Sequence, residues 1–150
     1  MLYRLSYVGV TRGILLCWIL FTALPTIDRV LESARSRYRR VTPEQAATEH
    51  SLGALLVDVR TSEQRSQQGD IPGAVVIDRT VLEWRLDPTS TDRIAEATDH
   101  DVRIILICDQ GYSSSLAAAS LHDLGLVNAT DVIGGAAAWK AAGLPVTAGR

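Results

Sequence analysis

Lysine, clustered cysteine and charge of one sign are all scarce in this chain, and each scarcity removes a class of function. Lys140 is the only lysine. The bias toward arginine fits GC-rich bacterial coding and implies no mechanism. The formal net charge is −2 and the sequence pI about 5.9, with no Lys/Arg stripe interleaved with aromatics, so nucleic acid is not an expected partner. The two cysteines, Cys17 and Cys108, lie in no C-x-x-C pair and no Cys/His cluster, which argues against a structural zinc or a disulfide framework. His50, His100 and His122 are scattered and read as solvated side chains, none of them placed as a general base. Internal repeats and low-complexity linkers are missing as well.

What remains, 150 residues with 47% hydrophobic and 21% charged, suits one core. Residues 1–25 stand apart as a hydrophobic N-terminal extension. Their uncharged run "GILLCWILFTAL" is shorter than the roughly 20 residues of a spanning helix, and starting the span at Tyr7 would place Arg12 in lipid. No clean small-residue cleavage site follows it. Three readings stay open: an upstream extension from a misassigned start, a membrane anchor, or a secretory signal. The expected location is the cytoplasm. With an anchor, Arg29, Arg35, Arg37, Arg39 and Arg40 after the run would hold the domain on the cytoplasmic side, and membrane contact would be confined to residues 7–25.

Residues 26–150 form the expected domain. Ile27, Val30, Leu31, Ala34 and Tyr38 fall on one helical stripe with the arginines on the other face. Thr42, Pro43 and Gln45 then spell a capping box with proline at the first helical position. Beyond them, "GALLVDVR", "GAVVID", "VRIILIC" and the weaker "ATDVI" read as strands. "SEQRSQQ", "TVLEWRL", "TDRIAEAT", "SSLAAASLHDLG" and "GAAAWKAAG" read as helices, with Trp84 and Trp139 facing the core. Strands alternating with helices predict an α/β fold with a mainly parallel sheet flanked by helices. Ligands of such folds bind beyond the carboxyl ends of the strands, where Cys108, Asp58 and Arg60 fall.

"CDQGYSSS" is the stretch suited to chemistry. A strand, a glycine-bearing loop and a helix start form an anion nest, and such a helix N-terminus favours a thiolate, taking a cysteine pKa from about 8.5 to as low as 3.5–7.5. Gly111 permits the tight turn, and Ser113, Ser114 and Ser115 offer hydroxyls. A strand-end cysteine is also common as inert filler, and spacing alone leaves both readings open.

Four stretches in order then carry a resemblance. "LLVDVR", "GDIPGAVVI", "CDQGYSSS" and "VIGGAAAWKAAGLPV" are similar to the motifs of the single-domain rhodanese-like sulfurtransferases, across residues 41–146. Asp70 stands where the family's second motif has histidine. The resemblance implies a five-stranded, mainly parallel sheet and a Cys108 that cycles through a persulfide, cradled by the backbone N–H groups of the loop residues Asp109, Gln110, Gly111, Tyr112, Ser113 and Ser114. It implies no metal and no organic cofactor. The expected partners are a small sulfur donor with a thiol or cyanide acceptor, or a persulfide-carrying protein.

Two departures bear on the donor. Ser113 replaces the arginine that family loops often carry five residues after the cysteine, and Asp109 adds a negative charge. A missing charge-assisted contact costs about 1.5–3 kcal/mol, which disfavours the thiosulfate dianion and favours a persulfide donor. Arg85 or Arg60 is the candidate compensating cation, with Asp58 as a further supporting residue. Ser114 stands six residues past Cys108, where the C-x5-R loop of phosphatases and arsenate reductases needs arginine, and this weighs against those activities. The alternative is a non-catalytic module that binds or senses sulfane sulfur.

Overall fold

The computed structural model describes residues 24–149, and within them the apolar runs become a parallel sheet. In chain order the elements are α1 (Ile27–Arg35), α2 (Pro43–Ser51), β1 (Leu55–Asp58), α3 (Ser62–Gln68), β2 (Val75–Val76), a 3₁₀ turn (Arg79–Val81), α4 (Leu82–Leu86), β3 (Ile104–Ile107), α5 (Ser113–Asp123), β4 (Ala129–Asp131) and α6 (Gly135–Ala141). The sheet order is β2-β1-β3-β4, all parallel. α2 begins as its sequence demands: Gln45 N donates to Thr42 Oγ1 over 3.2 Å, and Thr42 N donates to Gln45 Oε1 over 3.0 Å.

Period-two alternation divides the core between the two faces of the sheet. Val57, Ile104 and Leu106 pack with Leu82, Leu86, Ala117 and Leu121 from α4 and α5. Leu56, Ile105 and Ile107 pack with Val41, Ala46, Ala136 and Trp139 toward α2 and α6. All four residues of β3 are buried, as a strand covered on both faces must be. The register pairs Asp58 with Ile107, so the carboxyl ends of β1 and β3 finish side by side with Cys108 next in line.

Several expectations need correction. Four strands are described where five were expected. The fifth position is a single parallel bridge, Val41 to Val132, because Thr42 and Pro43 start α2 immediately after it. "TDRIAEAT" forms turns instead of a helix: Ile94 N donates to Arg85 O over 2.9 Å, dropping Ile94 and Ala97 into the core. Trp84 is 60% exposed because the five-residue α4 buries Leu82 and Leu86, an i,i+4 pair that leaves Trp84 on the far side. Trp139 is buried. α1 stops at Arg35, so Tyr38 lies beyond it. His50 and His122 are half-buried, bonded to the carbonyls of Ala54 and Ala129, and only His100 is fully exposed. Residues 1–23, with Cys17 and the apolar run, lie outside the described residues. Among the described residues, no helix is long and apolar enough to cross a membrane.

Candidate active site

β3 delivers Cys108 to the carboxyl edge of the sheet, and the turn at Gly111 folds the next residues back over its sulfur. Gly111 has φ +79°, a region open to glycine but strained for other residues. A Cβ there would lie 2.8 Å from Gly134 N and 2.9 Å from Val132 O, so the turn leaves no room for a side chain either. The opposite wall is the Gly134–Gly135 pair. A Cβ on Gly135 would lie 2.5 Å from Cys108 O, and Ala136 N and Ala137 N donate to the carbonyls of Cys108 and Asp109 over 2.8 and 3.0 Å. The start of α6 thus ties down the base of the loop.

The sulfur is buried and well supplied with donors. Gly111 N and Ser114 N donate to Cys108 Sγ over 3.2 and 3.4 Å. The thiol itself donates to Ser114 Oγ over 3.1 Å, and Ser114 Oγ donates onward to Asp131 Oδ2 over 2.9 Å. Burial pushes the Cys108 thiol up. The hydroxyls of Ser114 and Ser113 and the amides of Ser114 and Gly111 outweigh it, leaving the pKa below the ordinary cysteine value.

A cavity of about 370 Å³ opens on Cys108, lined by Arg60 and Gln64 after β1 and by Asp109, Gln110, Tyr112 and Ser113 of the loop. Arg60 reaches this wall with its donors already committed. It forks onto Asp58 in a pair with both side chains 1% exposed, and also bonds Gln68 Oε1 and Gly69 O. Gln68 relays the chain by donating to Asp109 Oδ1 over 2.7 Å, so Asp58, Arg60, Gln68 and Asp109 form one line of bonds. Arg85 is not brought to the cavity: it donates to Asp92 O over 2.8 Å. Another cavity, of about 590 Å³, lies by Arg103 and Asn128 at the starting ends of β3 and β4, and no thiol among the described residues lines it.

Beneath the loop is a polar cluster that sequence reasoning missed. The helical stripe puts Arg35 and Arg40 on its other face, yet both turn inward. Arg35 Nη2 and Arg40 Nη2 donate to Gly111 O over 2.8 and 3.0 Å. Arg40 also forks onto Asp131, a fully buried carboxylate that accepts from Tyr38 and Ser115 too. Burial works against the Arg40 charge, but the bond to Asp131 and its charge more than offset this, holding the guanidinium above its ordinary pKa. Burial and then the same carboxylate push the Tyr38 phenol up, so it stays a donor. The signal available beforehand was Asp131 itself, a carboxylate inside the apolar strand "ATDVI", which must find cations when buried.

A buried cysteine at a strand end, bonded by backbone amides of the following loop and set on a parallel α/β sheet, defines a strand–loop–helix cradle around a sulfur. The rhodanese-like domain family matches residues 42–142, and the chain belongs to that family. It is 36% identical over 106 residues to the thiosulfate sulfurtransferase GlpE of Pseudomonas savastanoi pv. phaseolicola, covering 71% of this chain and 91% of that protein. Among solved structures, it resembles one from Rhodopseudomonas palustris described as a protein of unknown function and possible tyrosine phosphatase. That match has a TM-score of 0.74 at 30% identity and covers 81% of this chain and 94% of that one. A rhodanese-related protein from Thermoplasma volcanium matches with a TM-score of 0.58 at 26% identity, over 74% of this chain and 99% of that one.

Proposed function

We propose that this protein is a sulfurtransferase that carries sulfane sulfur as a persulfide on Cys108. The observation that carries the reading is the sulfur's environment: two backbone amides and a serine hydroxyl within 3.4 Å, at the mouth of a cavity. The Cys108 thiolate attacks the outer sulfur of a donor persulfide R–S–S⁻. The donor S–S bond breaks, RS⁻ leaves with the electron pair, and Cys108–S–S⁻ remains. An acceptor thiolate or cyanide then attacks that outer sulfur and regenerates the Cys108 thiolate, with no net redox change. The extra negative sulfur needs donors already in place, as an oxyanion does in its hole.

The donor we infer is a low-molecular-weight or protein-bound persulfide. Arg60, the one guanidinium on the cavity wall among the described residues, is spent on Asp58, Gln68 and Gly69, and Asp109 adds a carboxylate. Both features disfavour a dianion such as thiosulfate. The relatives' name argues for thiosulfate all the same, so both donors belong in the test. A phosphatase reading, suggested by the Rhodopseudomonas structure's description, lacks its arginine: the side chain six residues past Cys108 is Ser114, buried and bonded to the sulfur and to Asp131.

Intact-mass spectrometry after incubation with glutathione persulfide or thiosulfate is the test. Wild type is expected to gain one sulfur, about 32 Da, and Cys108→Ser none. No adduct from any donor would leave a non-catalytic binding or sensing module as the better reading.

A further inference from the structure

We propose that Arg35 and Arg40, both ahead of the segment that matches the family, are positioning residues for Cys108. They pin the Gly111 carbonyl from beneath and lend the loop, through its own peptide, the positive charge that family loops often carry as an arginine. The inference rests on Cys108 working as a thiolate nucleophile, as proposed above.

Two guanidinium donors converge on this one oxygen, Arg35 Nη2 at 2.8 Å and Arg40 Nη2 at 3.0 Å, while the single hydrogen of the Ser115 hydroxyl is shared between it at 3.1 Å and Asp131 Oδ2 at 2.9 Å. A buried loop carbonyl that needed only satisfaction would need one. In a trans peptide the N–H of the next residue points opposite to the carbonyl. Holding Gly111 O down therefore turns Tyr112 N–H the other way, and Tyr112 lines the Cys108 cavity. Charged donors on the oxygen polarise that amide into a stronger donor for an anionic sulfur. Gly111's own amide already donates to Cys108 Sγ, so this glycine is the joint between the cations and the sulfur.

The six charged groups that face the loop sum to zero, and it is their placement that favours the anion. The groups facing the loop are Arg35 and Arg40 against Asp131 below, and the Asp58–Arg60 pair and Asp109 at its rim. Asp131 is matched by Arg40, with which it shares two bonds. Arg35 forms no ion pair among the described residues. It bonds Ser115 Oγ over 3.0 Å and lies 5.5 Å from the Tyr112 ring, a cation–π contact that braces the crest of the loop. One positive charge is thus left over under the nest.

Arg35 is the residue to change, because removing Arg40 would strand a buried carboxylate. In the full-length protein, iodoacetamide labelling at Cys108, followed by mass spectrometry across pH, reads the thiolate midpoint. Arg35→Gln is expected to raise that midpoint by about half a pH unit or more and to slow sulfur uptake from glutathione persulfide about tenfold. Arg35→Lys, which keeps the charge, is expected to restore the midpoint. If Arg35→Gln does not fold by circular dichroism, Arg35→Met keeps the stem against Tyr112 without the charge and takes its place. A folded, charge-free variant with the wild-type midpoint, or a lysine variant shifted as far as glutamine, would overturn the proposal. The midpoint needs no sulfur donor, so a wild type that accepts sulfur from nothing would defeat the persulfide reading and leave this comparison able to decide.

Discussion

Replacing Ser114 with alanine separates the reactivity of Cys108 from the stability of its loop. The hydroxyl stands between Cys108 Sγ at 3.1 Å and Asp131 Oδ2 at 2.9 Å, with one proton to share between them. In the thiol state S–H donates to Ser114 Oγ, whose own hydrogen is donated to Asp131 Oδ2. In the thiolate state the hydroxyl must turn to the sulfur. Its bond to the charged sulfur is worth about 1.5–3 kcal/mol, while the S–H bond surrendered is weak and Asp131 keeps its donors from Tyr38 and Arg40, so about 0.5 kcal/mol is lost at each. The surplus of about 1 kcal/mol converts to a rise in the thiolate midpoint of somewhat under one pH unit in Ser114→Ala. Stability should suffer less, since Asp131 keeps bonds from Tyr38, Arg40 Nε, Arg40 Nη2 and Ser115. Alkylation of Cys108 across pH measures the first effect and a thermal melt the second. A folded Ser114→Ala protein with an unmoved midpoint refutes the claim that this hydroxyl lowers the thiol pKa.

The remaining predictions concern the frame. Arg60→Gln leaves Asp58 buried without its cation and is expected to cost about 3–5 kcal/mol in urea unfolding. Arg85→Ala, whose guanidinium bonds the Asp92 carbonyl away from the cavity, should leave the sulfur adduct unaltered in intact-mass spectra. Gly135→Ala drives a Cβ to within 2.6 Å of the Asp109 carbonyl at φ +60°; backbone strain alone costs about 1–3 kcal/mol, so both the melting temperature and the Cys108 labelling rate should fall. The depressed thiol pKa also sets a sign. The folded state holds a thiolate where the unfolded chain still holds a thiol, so wild type should gain stability over Cys108→Ser as pH rises from below the folded pKa to above the ordinary value of about 8.5, and lose that gain as pH falls back.

The sheet was legible because hydrophobic runs are long-range facts written locally: "VRIILIC" reads as a strand covered on both faces, and its end marked Cys108. The capping box at Thr42 was equally plain, being complete within four residues. "TDRIAEAT" misled because its apolar spacing suits a helix while its burial comes from two side chains reached through turns. Arg35 and Arg40 misled for the opposite reason. Arginines in a charged stretch normally face water, and only the fold reveals the buried Asp131 and the Gly111 carbonyl that turn them inward. Gln68 was invisible for the same cause, since its two partners, Arg60 and Asp109, are 8 and 41 residues away.

That cluster changes where the working domain begins. The family match starts at residue 42, yet three of the groups that organise the nest, Arg35, Tyr38 and Arg40, precede it. Without them the Asp131 carboxylate at the end of β4 would lose its cation and its phenol donor and keep only serine hydroxyls, a cost of several kcal/mol. A protein started at residue 42 is therefore expected to be markedly less stable than one started at residue 26. Restoring Asp131→Asn in the shorter protein should recover part of the loss, because a neutral amide needs no cation. Equal melting temperatures for the two lengths would contradict this, and would mean that the carboxylate finds its counter-charge elsewhere.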